Sequence, residues 1–320
     1  MSEIETEIGQ TIYKIIILDN NDLLIQLDDK ILCLKNPDYR LHDSLDISIE
    51  NKKFFSICLW KNNQFIIISV DYLYLIQLYD GNNNYVIQLK LCLYNNVNTT
   101  FKRFIQIIPL NNYSQFLLNS YGRFIIYKEL PNQSFVSRMV FHYKKSFQSF
   151  LQIKTNEIVC NSENEGKVFF IETKKGKILA TINNIKTFIL DRDIFCMINK
   201  NILAMGGDLR NGIYFFNINT RQLIYQFKED WRGYHCLLNI GNNKFLGESY
   251  EGRSYAESDD EDEEIYCTKF YEYNEKENKI KLYKCSNYRI AALKRNNFIK
   301  LNNVDKIVYV QKKYLRIENI

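Results

Sequence analysis

The chain has 320 residues, 46% of them hydrophobic, with 42 basic against 37 acidic side chains and a formal net charge of +5. That charge is mild and no Lys/Arg-rich block accompanies it, which argues against a nucleic-acid partner. Three prolines and twelve glycines exclude collagen-like and linker-rich chains, and the apolar share suffices for a large buried interior.

Met1 to Glu5 lacks the basic start and apolar core of a signal peptide. No apolar stretch approaches the roughly 18 residues that a membrane helix needs, so no membrane partner is expected. The eight cysteines (33, 58, 92, 160, 196, 236, 267 and 285) are scattered singly, without a CxxC pair. They read as reduced core thiols of a cytoplasmic protein, with a nuclear setting left open, and give zinc or redox chemistry no foothold.

In chain order, a hydrophobic run repeatedly breaks at an asparagine-rich turn and resumes. The turns are Asn20-Asn21, Asn62-Asn63, Asn111-Asn112, Thr155-Asn156, Asn199-Lys200-Asn201, Asn242-Asn243 and Asn296-Asn297. Between their last asparagines the steps are 42, 49, 44, 45, 42 and 54 residues, a period that signals a repeat protein. The runs after the turns begin at Leu23, Phe65, Phe116, Ile158, Ile202, Phe245 and Phe298. A third apolar segment follows each, and glycine precedes three of these, at Gly122, Gly166 and Gly212, where a hairpin wants positive φ. A fourth follows: Leu41 to Ile49, Tyr85 to Leu91, Phe135 to Phe141, Ile178 to Ile182, Leu223 to Phe227, Ile280 to Tyr283 and Tyr314 to Ile317. These segments have strand length and period two or continuous apolarity, not helical spacing.

The reading is an all-β chain: a seven-bladed β-propeller of four-stranded antiparallel blades, one domain over residues 1–320. Two closures satisfy the strand count. Either Tyr314 to Ile317 is the outer strand of the last blade, leaving Met1 to Gly9 loose, or Gln10 to Tyr13 adds to that blade and interlocks the ends.

The stretch Asn211 to Phe227 resembles the third and fourth strands of a WD-repeat blade, with Phe216-Asn217 at the Trp-Asp position. Tyr79-Asp80 and the strand ending at Glu172 are looser matches. No literal Trp-Asp or Gly-His dipeptide is present, so the family's Ser/Thr-His-Asp network has no counterpart here. Kelch, chromosome-condensation-regulator and sialidase-type propellers match less well, for want of their glycine pairs, glycine content and Asp box. The resemblance to a divergent WD-repeat-like propeller implies a non-catalytic scaffold or adaptor subunit that binds other proteins. It also leaves two alternatives, a substrate receptor of a ubiquitin ligase and a propeller hydrolase with an axial active site.

The strongest local anomaly is the acidic insertion at about 251–264. Glu257, Asp259, Asp260, Glu261, Asp262, Glu263 and Glu264 put seven carboxylates in eight residues, which repel one another and belong in solvent. The run reads as a solvated loop or as a docking strip for basic protein surfaces. Ser254 and Ser258 precede acidic residues, as candidate phosphorylation sites do. Links between blades carry Lys52-Lys53, Lys102-Arg103, Lys144-Lys145, Arg192 and Arg232, which share a face with that insertion. Trp231 and Arg232, in a blade-to-blade link, are candidate protein-binding anchors beside Arg192, and Trp60 and Tyr234 are weaker ones. Three histidines (His42, His142, His235) fall in different repeats without metal-ligand or nucleophile-pair spacing, and no phosphate loop is present. No catalytic residue, metal site or cofactor is expected.

Overall fold

In the computed structural model, the described residues are 4–10, 12–27, 30–40, 45–47, 54–61, 64–69, 72–78, 85–92, 106–110, 115–120, 123–131, 134–143, 147–162, 165–186, 194–208, 211–228, 233–254, 263–291, 298–301, 306–311 and 314–319. Every regular element among them is a β-strand.

Strand β1 (Ile4–Glu7) is followed by six sheets of four consecutive antiparallel strands. They are β2 (Lys14–Ile17), β3 (Leu23–Gln26), β4 (Ile31–Leu34) and β5 (Leu45–Ile47); β6 (Phe54–Leu59), β7 (Gln64–Ser69), β8 (Tyr72–Leu78) and β9 (Tyr85–Cys92); and β10 (Gln106–Leu110), β11 (Gln115–Ser120), β12 (Arg123–Glu129) and β13 (Phe135–His142). Then come β14 (Phe147–Lys154), β15 (Glu157–Ser162), β16 (Lys167–Glu172) and β17 (Lys177–Ile182), followed by β18 (Phe195–Met197), β19 (Ile202–Gly206), β20 (Ile213–Asn217) and β21 (Gln222–Phe227). The sixth sheet is β22 (Gly233–Gly241), β23 (Lys244–Ser254), β24 (Glu263–Asn274) and β25 (Lys279–Ala291). The seventh takes β26 (Phe298–Lys300), β27 (Lys306–Gln311) and β28 (Tyr314–Asn319), with β1 as its fourth strand.

The last sheet corrects the sequence reading. Its order is β1-β28-β27-β26, so Phe298–Lys300 is a first strand, not a second, and Tyr314–Asn319 is a third. The outer place is filled by Ile4–Glu7, which pairs Ile4 with Ile317 and Glu7 with Tyr314, not by Gln10 to Tyr13. Asn296-Asn297 resembles an internal turn but precedes the sheet. Arg316 closes the pairing with an ion pair to Glu5 at 2.6 Å, and Thr6 Oγ1 donates to the Tyr39 carbonyl at 2.9 Å.

The chain divides into two compact units, Met1–Ser146 with Asn297–Ile320, and Phe147–Asn296. In the first, strand β7 buries both faces. Phe65 and Ile67 join Leu24, Ile31 and Ile57, while Ile66 and Ile68 join Trp60, Phe116 and Leu118. In the second unit β20 does the same, with Tyr214 and Phe216 on one side and Ile213 and Phe215 on the other. Each buried Ile, Leu or Phe side chain contributes about 1.5–3 kcal/mol, and none of these layers exists without two successive sheets.

Turn chemistry sets the hairpins. Asn242 and Asn243 are the two residues between β22 and β23, and both have positive φ (53° and 59°), as a two-residue type I′ turn requires. Gly212 takes φ +64°, and a Cβ there would lie 1.9 Å from the Phe227 carbonyl oxygen; one at Gly206 would lie 2.2 Å from that of Tyr234. By contrast, Gly9 takes φ +75° with open space around it. Chemical denaturation should therefore show Gly212→Ala and Gly206→Ala each losing about 3 kcal/mol, and Gly9→Ala only about 1 kcal/mol. Equal losses at all three glycines would contradict the close backbone approaches.

Candidate interaction surface

The outer strands share one irregularity. In five sheets the register between third and fourth strands slips by one residue, at Leu75/Ile76, Phe124/Ile125, Phe170/Ile171, Phe215/Phe216 and Phe270/Tyr271. The extra residues on the outer strands are Gln88, Val140, Leu179, Ile224 and Tyr283. A bulge of this kind reverses the side-chain alternation beyond it. Just before each bulge sits an exposed apolar residue: Ile87, Met139, Ile178, Leu223 and Leu282, between 38% and 61% accessible. The same position in five strands exports a large apolar side chain to solvent. Ile87 and Met139 lie in the first unit; Ile178, Leu223 and Leu282 lie in the second. Sequence reading missed this row, although adjacent apolar pairs (Met139-Val140, Ile178-Leu179, Leu223-Ile224, Leu282-Tyr283) break the alternation that a regular outer strand would keep.

Polar side chains at the turns are spent on joining successive sheets. In the second unit Arg221, held at φ 56°, forks onto buried Glu157 with Nε–Oε1 at 2.7 Å and Nη2–Oε2 at 3.0 Å. Lys154 Nζ donates to Asn219 Oδ1 at 2.9 Å, and Asn199 Nδ2 donates to Asn243 Oδ1 at 2.9 Å and Glu275 Oε1 at 2.6 Å. In the first unit Lys61 pairs with Glu129. Buried Asp22 accepts from Lys35 Nζ at 2.8 Å, the Asn36 amide at 2.9 Å and Asn20 Nδ2 at 3.0 Å. Such carboxylates are anchored to structural partners, and their arrangement suits rigidity rather than proton transfer.

The thiols are similarly inert. Burial pushes Cys58 and Cys196 up to about 12 and Cys33 to about 11, and it also raises Cys160 well above the usual thiol range. It lifts the Tyr39 and Tyr127 hydroxyls to about 12 as well. The thiolate is the nucleophile, so these cysteines carry almost none at neutral pH. Among the described residues no group of three or more His, Cys, Asp or Glu side chains could hold a metal ion, and no helix is long and apolar enough to cross a membrane.

Of the residues singled out in the sequence, Trp231, Arg232, Arg192, Ser258, Glu257, Asp259, Asp260, Glu261 and Asp262 lie outside the described residues, as do Lys52-Lys53, Lys102-Arg103 and Lys144-Lys145. Ser254 closes β23, and its backbone partner is Glu263. Strand structure thus covers 251–254 and 263–264, residues that the sequence assigned to the insertion. Trp60 and Tyr234 are not surface anchors. Both are fully buried. Trp60 packs edge-on against Phe116 at 5.6 Å, and the Tyr234 hydroxyl meets that of Tyr271.

No protein-family model matches the chain, and no curated protein matches its sequence. Solved structures do match its fold. A chain in the crystal structure of the mitotic checkpoint complex superposes with a TM-score of 0.69 at 8% identity, covering 99% of this chain and 93% of that one. The β-propeller domain of Myceliophteria thermophila Cps50 (Swd1) superposes with a TM-score of 0.68 at 9% identity, covering 100% of both chains. The fold is a seven-bladed β-propeller of four-stranded antiparallel blades.

Two outcomes test the chemistry of this surface. Removing one partner of a buried pair strands the other's charge, so Arg221→Ala should cost about 3 kcal/mol. In a double-mutant cycle with Glu157→Gln the pair should show coupling above about 1 kcal/mol, and additivity would show the pair to be idle. For the raised thiols and hydroxyls, folded pKa values exceed unfolded ones. Their contribution is therefore complete below about pH 8.5 and is lost as pH climbs from about 9 to 12. Alkylation at about pH 8 should leave Cys33, Cys58, Cys160 and Cys196 unmodified until the chain is unfolded; mass spectrometry reads this directly.

Proposed function

We propose that this chain is a non-catalytic β-propeller that serves as a scaffold or adaptor subunit, presenting its outer strands and loops to other proteins. The observation that carries this reading is the repeated export of apolar side chains at Ile87, Met139, Ile178, Leu223 and Leu282. Folding alone favours polar residues at such places, whereas a contact surface favours apolar ones. The fold neighbours support it by analogy. One is a chain of a named complex and the other is a propeller domain. Anchored carboxylates and high-pKa thiols among the described residues speak in the same direction, against the hydrolase alternative.

The acidic run 257–264 belongs to this proposal as a second contact element. Its last two residues, Glu263 and Glu264, pair with Ser254 and Arg253 at the ends of strands β24 and β23. Its chemistry suits basic protein surfaces, and phosphorylation of Ser254 or Ser258 would deepen its charge. Trp231, Arg232 and Arg192 remain proposed anchors, and a cytoplasmic or nuclear setting is proposed with them.

Affinity purification of the intact chain with cross-linking is the test. The comparison is with Ile178→Asp/Leu223→Asp and with a chain lacking 257–264. The expected result is a set of proteins recovered in fixed proportion by the intact chain and lost from one of these variants, with the melting temperature retained. A monomer that hydrolyses small substrates would overturn the reading.

A further inference from the structure

One sheet differs from the rest in length and charge. Strands β23, β24 and β25 have 11, 12 and 13 residues, against three to nine in the others. Strand β25 contains Lys279, Lys281, Lys284 and Arg289 and no acidic residue. It is the outer strand of its sheet and, among the described residues, pairs with β24 alone.

The register places cations and aromatics on one face. Lys244, Glu272 and Lys281 stand abreast on the three strands, and Phe270 stands beside Lys284 one step further along. The bulge turns its extra residue, Tyr283, toward Phe270, with ring centroids 6.0 Å apart. Lys244 Nζ lies 5.1 Å from the centroid of Tyr283, and Lys284 Nζ lies 5.0 Å from that of Phe270. Tyr283 is 40% exposed and Phe270 beneath it is buried, so one aromatic ring flanked by ammonium groups faces solvent. Glu272 offsets one of the three lysines and the patch stays positive.

We infer that Tyr283, with Lys244, Lys281 and Lys284 around it, is a docking surface for an acidic segment of a partner protein that carries an apolar side chain among its carboxylates. This deepens the adaptor reading and rests on it. The carboxylates would meet the lysines, and the apolar group would cover Tyr283, as an aromatic hot spot ringed by charge is used elsewhere. Lysines held over aromatic rings are already desolvated and partly ordered on one side, which lowers what binding must still restrict. Charge argues against a second copy's β25 as the occupant, because like-charged edges repel. Length argues against the chain's own acidic run folding back onto the patch. Lys244 and Ser254 stand at opposite ends of β23, about 33 Å apart at strand rise. Residues 255–262, tethered at both ends, reach only about 14 Å.

The probe is a synthetic peptide alternating glutamate with leucine around one phenylalanine, read by fluorescence anisotropy on the full chain. Its control replaces every glutamate by glutamine. Lys281→Gln/Lys284→Gln and, separately, Tyr283→Ser should each weaken the acidic peptide about tenfold, with unchanged melting temperature. Salt should weaken it further in the wild type. Equal affinity for the glutamine control, or affinity unmoved by both variants, overturns the inference. So does self-association of the chain that is abolished by deleting 257–264, since the patch would then belong to a second copy. The cross-linked purification reads the broader proposal independently: partners retained in full by both variants remove this patch from the adaptor reading while leaving that reading intact.

Discussion

A strand that is apolar on both faces cannot be satisfied by one neighbour. Strands β7 and β20 are such strands, sending alternate residues into two different core layers. The sheets that hold them therefore need a sheet on either side, which explains why the chain repeats one unit instead of building a single sandwich. The termini meet by strand pairing. The last sheet has only three strands of its own, and the N-terminal segment supplies the fourth.

Polar chemistry follows from that stacking. Near the turns of the second unit, asparagine, lysine and arginine side chains reach from one sheet to the next, as Asn199 does to Asn243 and Arg221 to Glu157. Asparagine thus serves twice, accepting positive φ in the turn and donating to the next sheet. Among the described residues, the carboxylates in such bonds are held by structural partners and the thiols are lifted by burial. What the architecture leaves over is surface, and the outer-strand bulges place apolar groups on it. On β25 the bulge also brings Tyr283 beside lysines.

Much of this was legible in the sequence, and the exceptions have physical causes. The strand repeat, the Asn turns at 20–21 and 242–243 and the positive φ at Gly166 and Gly212 are local signals, and the structure bears them out. The last repeat was read one strand out of phase, because Asn296-Asn297 has the look of an internal turn and strand order within a sheet is a non-local property. Trp60 and Tyr234 sit near segment ends yet are buried, since a neighbouring sheet covers them. The bulges were missed because the signal they leave, two adjacent apolar residues in an outer strand, reads equally as a continuous apolar strand. The acidic run stood out by charge alone, and its tip lies outside the described residues.

The pairing of the chain's two ends completes the seventh sheet, and it can be measured. Glu5 and Arg316 are opposite one another in the β1–β28 register. In the doubly substituted chain Glu5→Cys/Arg316→Cys, mild oxidation followed by proteolysis and mass spectrometry should recover a 5–316 cross-link in high yield, with a raised unfolding midpoint. Recovery of both cysteines free, or of a link from position 5 to any other strand, would contradict the account.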